Sequence, residues 1–246
     1  MELEVVALAT DPGSGISPKA AARLGVHLLN PEEPLKPQYE ELLRRYDRVL
    51  SLHASGKLCD MSFRATKAAQ AVDPTRIRVI DTGLGSAGLG AATQRAGELL
   101  RRGLEEDAIV KEIERLRTEG RFLLATADLG TLVQNRLLPP LGDRFGEALG
   151  LWGLLSLERG GFRGPPAPVL KGNVPEALAS GLRRSLGRRR VRVRALFGAV
   201  DPELRPRVRD QLERTLNVVG GTLAPMDPLA QSRVGQEAVA VFAYPV

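Results

Sequence analysis

The chain has 246 residues, of which 43% are hydrophobic and 26% charged, the make-up of an ordinary globular protein long enough to bury a sizeable core. No apolar run reaches the length of a membrane span, and a single cysteine, Cys59, excludes an internal disulfide. The formal charge is +6 and 29 of the 35 basic residues are arginine, a balance that suits an acidic partner or simply a solvated surface.

The opening residues Met1 to Leu8 lack a basic leader and their apolar stretch is strand-sized, so no signal peptide is expected and a cytoplasmic address follows. Residues 2–9 read as a buried strand and 36–46 as a short helix. Val49 to Leu52 is an apolar strand. From Leu58 the apolar positions Met61, Ala65, Ala68, Ala69 and Val72 recur at helical spacing. A strand over 77–81, a long helix over 86–102, a second helix over 105–118 and a strand over 122–125 follow. This alternation predicts an α/β fold. In the second half, 151–158 and 191–197 read as strands, and Gly160-Gly161 as a hairpin turn. Asn173 with Glu176 has the spacing of a capping box, and Asp201 before Pro202 that of a helix start. Leu204, Val208, Leu212 and Leu216 form one stripe, and residues 238–244 read as a final strand.

Gly83-x-Gly85-x-x-Gly88 follows a strand and opens a helix, as a dinucleotide fingerprint does. The second strand that such a unit needs does not come next; a second helix does. A phosphate-binding GxxxxGK[ST] loop is absent. The two histidines, His27 and His53, have no metal-ligand spacing, so neither a metal nor a cofactor is expected. His53 stands near Ser51 and Ser55, which leaves a small serine hydrolase as one alternative, although no GxSxG elbow exposes a nucleophile. Seven arginines lie between Arg183 and Arg194. Arg190, Arg192 and Arg194 alternate along a strand, which reads as the solvated face of a half-buried strand, or else as an anionic-surface binder. No aromatics interleave to stack bases, so specific nucleic-acid binding is not expected. Ser51 to Leu58 is a strand that ends in small polar residues where a helix begins. There a serine hydroxyl and backbone N–H groups suit a carboxylate, or Ser55 simply caps the helix.

That stretch carries a resemblance. Ser51-Leu52-His53-Ala54-Ser55-Gly56-Lys57-Leu58 is similar to the SIHISSKLSGTYQSA segment of the DegV family. Thr10-Asp11, Val79-Ile80-Asp81 with Ser86-Ala87-Gly88, Leu129-Gly130-Thr131-Leu132 with Arg136, Asp201-Pro202-Glu203 and the final Phe242-x-Tyr244-Pro245 fall in the family's order over nearly the whole chain. The resemblance implies two domains, a parallel-sheet α/β domain over about 1–80 and an α/β domain with a mixed sheet over about 81–246. It implies non-enzymatic binding of a long-chain fatty acid, with the acyl chain buried and the carboxylate held by hydroxyl and N–H groups. It also implies presentation of that acid to a fatty-acid kinase partner. Ser55, the Gly56 N–H, His53 and Arg136 are the positions carried over as ligand-binding. The family's Thr-Ser-Gln-Pro segment is replaced by His27-Leu28-Leu29-Asn30-Pro31, its second serine by Gly56, and its C-terminal histidine falls near Arg233, which is positioned to replace a lost donor.

Overall fold

The computed structural model describes residues 5–139 and 150–246. Among these, β1 (Val6–Thr10), β2 (Val26–Leu28), β3 (Arg48–His53) and β4 (Ile77–Asp81) form a parallel sheet in the order β2-β1-β3-β4. The connecting helices are α1 (Pro18–Leu24), α2 (Leu35–Leu43) and α3 (Met61–Val72). Both faces of this sheet are covered, which is why its strands read as continuous apolar runs. Ala7, Ala9 and Val49 pack with Tyr39 of α2 and Met61 and Ala65 of α3. Their neighbours Leu8, Leu50 and Leu52 point the other way, into a core shared with α4 (Ser86–Leu100).

After α4 and α5 (Glu106–Glu119) come β5 (Arg121–Thr126), α6 (Leu129–Gln134), the hairpin β6 (Leu151–Glu158) and β7 (Gly161–Leu170), and α7 (Val174–Leu186). The chain ends with β8 (Arg190–Phe197), α8 (Leu204–Thr215), β9 (Asn217–Pro225), α9 (Pro228–Val234) and β10 (Ala238–Pro245). The second sheet has the order β7-β6-β5-β10-β8-β9, antiparallel except for the parallel β8–β9 pair. The mixed sheet implied by the resemblance is therefore present. Its centre is the last strand: every residue of β10 is buried. Val239, Val241 and Ala243 face the core under α7 and α8, while Ala240, Phe242 and Tyr244 face α4. One apolar core thus runs from Leu8 and Leu50 of the first sheet, through α4, to Phe122 and Phe242 of the second. No helix of the described residues is long and apolar enough to cross a membrane.

Several local expectations need correction. Asn173 makes no side-chain cap; it ends a 3-10 turn with φ −99° and ψ 3°, not the extended backbone that an N-cap requires. Asp201 caps a turn ahead of α8: its carboxylate accepts from Glu203 N (3.0 Å) and its carbonyl from Leu204 N (2.9 Å). The hairpin turn is centred on Arg159-Gly160, with φ 50° and 81°, so Gly161 already belongs to β7. The arginine face of β8 is not uniformly solvated. Arg190 is exposed and Arg192 half-exposed, but Arg194 is 6% exposed, because α4 and the turn Pro12–Ser14 cover that end of the strand.

Candidate functional site

Strand geometry builds the first constellation. Ser51 and His53 are two residues apart on β3, so their side chains share a face. Tyr39 from α2 and Asp11 after β1 meet them there. The Tyr39 hydroxyl donates to Ser51 Oγ (2.8 Å), Ser51 Oγ lies 2.9 Å from His53 Nε2, and His53 Nδ1 lies 3.0 Å from Asp11 Oδ2. With a neutral imidazole protonated at Nδ1, every group is paired in one direction: Tyr39 to Ser51 to His53 to the Asp11 carboxylate. Asp11 Oδ1 also accepts from Gly13 N (3.0 Å). Burial pushes the Tyr39 phenol up to about 12. The order Ser-His-Asp is that of a hydrolytic triad, yet Ser51, His53 and Tyr39 have 0% exposure and Asp11 2%. The Ser51 oxygen is covered and already accepts from Tyr39, so it is not presented to a substrate. The Ser55–His53 pair weighed from the sequence does not form, since both ring nitrogens of His53 are engaged by Ser51 and Asp11.

The loop after β3 turns tightly on Ser55. Ser55 N donates to Leu84 O (3.0 Å), Gly56 N to Asp81 Oδ2 (2.9 Å), Lys57 N to Ser55 Oγ (3.3 Å), and Leu58 N and Cys59 N to Ser55 O (2.8 and 3.3 Å). All five N–H groups are therefore committed internally, and Asp81 holds the Gly56 N–H that the sequence offered to a ligand. The Ser55 hydroxyl proton stays available. Gly160, at the hairpin tip, packs directly on Ser55 Oγ, and Lys57 Nζ ties down the same tip by donating to Arg159 O (3.0 Å). A β-carbon at Gly160 would collide with that hydroxyl, and its φ of 81° also favours glycine.

Two cavities flank this loop. Ser55, Gly56 and Lys57 line an open groove of about 1210 Å³ that wraps the start of β5, with Leu157 and Phe242 on one face of the sheet and Leu123 and Leu154 on the other. Ala54, Leu58 and Cys59 line a narrow cavity of about 70 Å³ on the opposite side. Its apolar lining includes Leu124, Leu137, Phe162, Leu229, Val234 and Ala240. The polar and charged residues in the lining are Asp11, Ser86, Cys59 and Arg233. Phe122 borders both spaces, and its ring centroid lies 6.5 Å from that of Phe162. Burial raises the Cys59 thiol, with Asp11 raising it further and Arg233 opposing.

The candidate residues are thus distributed. Ser55 and Gly56 lie on the groove, Arg233 on the narrow cavity, His53 in the sealed hydrogen-bond chain, and Arg136 on the surface outside both cavities, in a turn with φ 58°. Asp11, Tyr39, Ser86, Phe122 and Phe162 were not named from the sequence as parts of a site. The period-two spacing of Ser51 and His53 was a usable signal; partners 42 and 12 residues away had none.

The family model described as an uncharacterised protein of the DegV family matches residues 28–246. A DegV domain-containing protein of Deinococcus radiodurans is 39% identical over 92 residues, which is 37% of this chain and 32% of that protein. One from Staphylococcus aureus is 32% identical over 117 residues, 48% of this chain and 39% of that protein. The matches thus span about a third to two fifths of these relatives' own length. Among solved structures, a fatty-acid-binding DegV family protein from Thermus thermophilus superposes with a TM-score of 0.85 at 25% identity, covering 98% of this chain and 100% of that one. A DegV lipid-binding protein from Thermotoga maritima gives a TM-score of 0.84 at 19% identity, covering 98% and 99%, a likeness of fold alone.

Proposed function

The chain belongs to the DegV family, and on that premise we propose that it is a cytoplasmic protein that binds one long-chain fatty acid and does not transform it. The observation that carries this reading is the small cavity beside the Ser55–Cys59 loop, lined mainly by apolar side chains together with Asp11, Ser86, Cys59 and Arg233. Arg233 supplies a cation there for a carboxylate. Ser86 opens α4, whose first turn has no side-chain cap and points N–H groups outward. Ser55 lines the groove on the other side of the loop and joins the head-group site only when the two spaces open into one another. The acyl chain lies among Phe122, Leu124, Leu137 and Val234 of the lining, with its carboxylate at Arg233. At about 70 Å³ the cavity has the volume of roughly two to three waters, so lodging the chain requires Phe122 and Phe162 to part and join it to the groove.

The energetics favour the chain over the head group. Burying about fifteen methylenes at about 0.8 kcal/mol each supplies roughly 12 kcal/mol before the costs of association. One hydrogen bond to the carboxylate contributes about 1.5–3 kcal/mol. The sealing of Ser51 and His53 supports binding over hydrolysis. The relative from Thermus thermophilus, described as fatty-acid binding, supports the ligand class.

The first test is mass spectrometry of the purified protein, native and after organic extraction. One acyl chain released per protein is expected. Absence of extracted lipid, together with no uptake of added palmitate, would sink the proposal. In titrations with palmitate, Arg233→Ala is expected to weaken binding about tenfold or more; affinity equal to wild type would remove Arg233 from the head-group site. Phosphorylation of the bound acid by an added fatty-acid kinase would extend the proposal to the partner that the resemblance implies.

A further inference from the structure

A third cavity lies away from the fatty-acid site, between α4 and the β8–β9 edge of the second sheet. It measures about 220 Å³, roughly seven waters in liquid volume, which suits a small solute and not an acyl chain. Arg192, Arg194, Gln94, Thr222 and Tyr244 line it, and no lining residue is acidic. The parallel β8–β9 ladder shifts register between Val191 and Arg192, and this irregularity beside the cavity places Gly220 and Gly221 along its wall. A β-carbon at Gly221 would come within 2.9 Å of Val193 O, so glycine there keeps β9 close to β8.

Arg194 is the anomaly. It is 94% buried by its 6% exposure, and its Nη2 donates only to carbonyls, Gly15 O at 2.7 Å and Ser14 O at 3.4 Å. Its Nε has no hydrogen-bond partner and packs against Gly90 of α4, outside the cavity lining. No carboxylate among the described residues pairs with it. Burial without a counter-ion lowers its pKa to about 10. A buried guanidinium with no anion is costly, and the usual remedy is a charge partner. The neighbouring Arg192 is hydrogen-bonded to the Tyr244 hydroxyl and has no close carboxylate among the described residues. Its one carboxylate contact, Glu98, stands 3.8 Å away and is held more tightly by Arg95 (2.6 Å) and by Gln94 (3.1 Å). Two arginines, a threonine and a tyrosine therefore line one small space with no carboxylate in its lining.

We propose that this cavity is a binding site for a phosphate-type oxyanion, free or as a small phosphate monoester, held by Arg192 and Arg194 with Thr222 and Tyr244 at its rim. The buried guanidinium supplies the charge-assisted donors that such an anion prefers. The site is separate from the apolar cavity, so its occupancy and fatty-acid binding are independently measurable.

The test is isothermal titration of the full chain at constant ionic strength set by chloride, with inorganic phosphate and with methyl phosphate as probes. Saturable one-to-one binding is expected. Binding of both probes assigns a monoester site and binding of inorganic phosphate alone a free-anion site; each supports the proposal. Arg194→Met also cuts the tie to Ser14 and Gly15 and risks misfolding, so the discriminating variants are Thr222→Asp on β9 and Gln94→Glu on α4. Each plants a carboxylate in the cavity while leaving both arginines. Each is expected to weaken phosphate at least tenfold with the circular dichroism spectrum unchanged. No saturable binding in the wild type, or affinity that survives both variants, overturns the proposal.

Discussion

Replacing His53 by alanine tests the sealed hydrogen-bond chain from both its structural and its chemical side. The imidazole has 0% exposure and bridges Ser51 Oγ at 2.9 Å and Asp11 Oδ2 at 3.0 Å. Its loss leaves a cavity, strands the Ser51 proton, and removes the one side-chain donor, among the described residues, of a carboxylate that is 2% exposed. Breaking a buried, charge-assisted pair by deleting one member costs about 3–5 kcal/mol. Tyr39→Phe removes only the terminal donor: Ser51 keeps its bond to His53, and the cost is about 1 kcal/mol. A chain of this size loses about 2–4 °C in Tm per kcal/mol. His53→Ala is therefore expected to melt about 6–20 °C below wild type and Tyr39→Phe about 2–4 °C below, by differential scanning fluorimetry. The same proteins assayed with p-nitrophenyl esters should show no His53-dependent turnover. Equal Tm losses in the two variants would refute the account of the chain as a unit anchored on Asp11. Ester hydrolysis that vanishes with His53 would refute its structural assignment.

Three further outcomes are expected. Gly90→Ala places a β-carbon against Ser14 O and Arg194 Nε, where the carbonyl is fixed; overpacking of about 1–3 kcal/mol outweighs the gain of about 1 kcal/mol in helix propensity, and a lowered Tm checks this. Ala230→Phe, on α9 at the wall of the narrow cavity, is expected to cut palmitate affinity at least tenfold in titration, since the added ring occupies the acyl path. His27 is held below its ordinary pKa, first by burial and then by Arg45. Below pH 6.5 the unfolded chain therefore binds a proton that the folded chain resists, so stability is lost as pH falls through that window. Urea midpoints at pH 7.5 and 5 should differ more in wild type than in His27→Gln.

Much of the site could not be read locally because it is made of partners far apart in the chain. The strand–turn–helix at Ser51 to Val72 was legible, since alternation and helical spacing are local, but the helix begins only at Met61. Residues 55–59 instead close on Ser55 through its carbonyl and hydroxyl. The Gly56 N–H is committed to Asp81, at the end of the neighbouring strand, a partner 25 positions away that no local window shows. Ser55 and Arg233, both candidates for the same carboxylate in the sequence, line different cavities. The arginine alternation in β8 was visible as a pattern, but whether each arginine meets water depended on what α4 covers.

The sequence by itself determined the α/β class, the strands over 77–81 and 151–158, the long helix at Ser86, the final strand, and the family, because these rest on periodicity and motif order within short windows. Only the tertiary structure decided that the last strand is the centre of the second sheet, that Asp11 and Tyr39 complete the chain through His53, and that Arg194 is buried without a carboxylate. The physical reason is the same in each case. Burial and pairing are properties of what packs against a residue, and here that neighbour comes from 12 to 180 positions away.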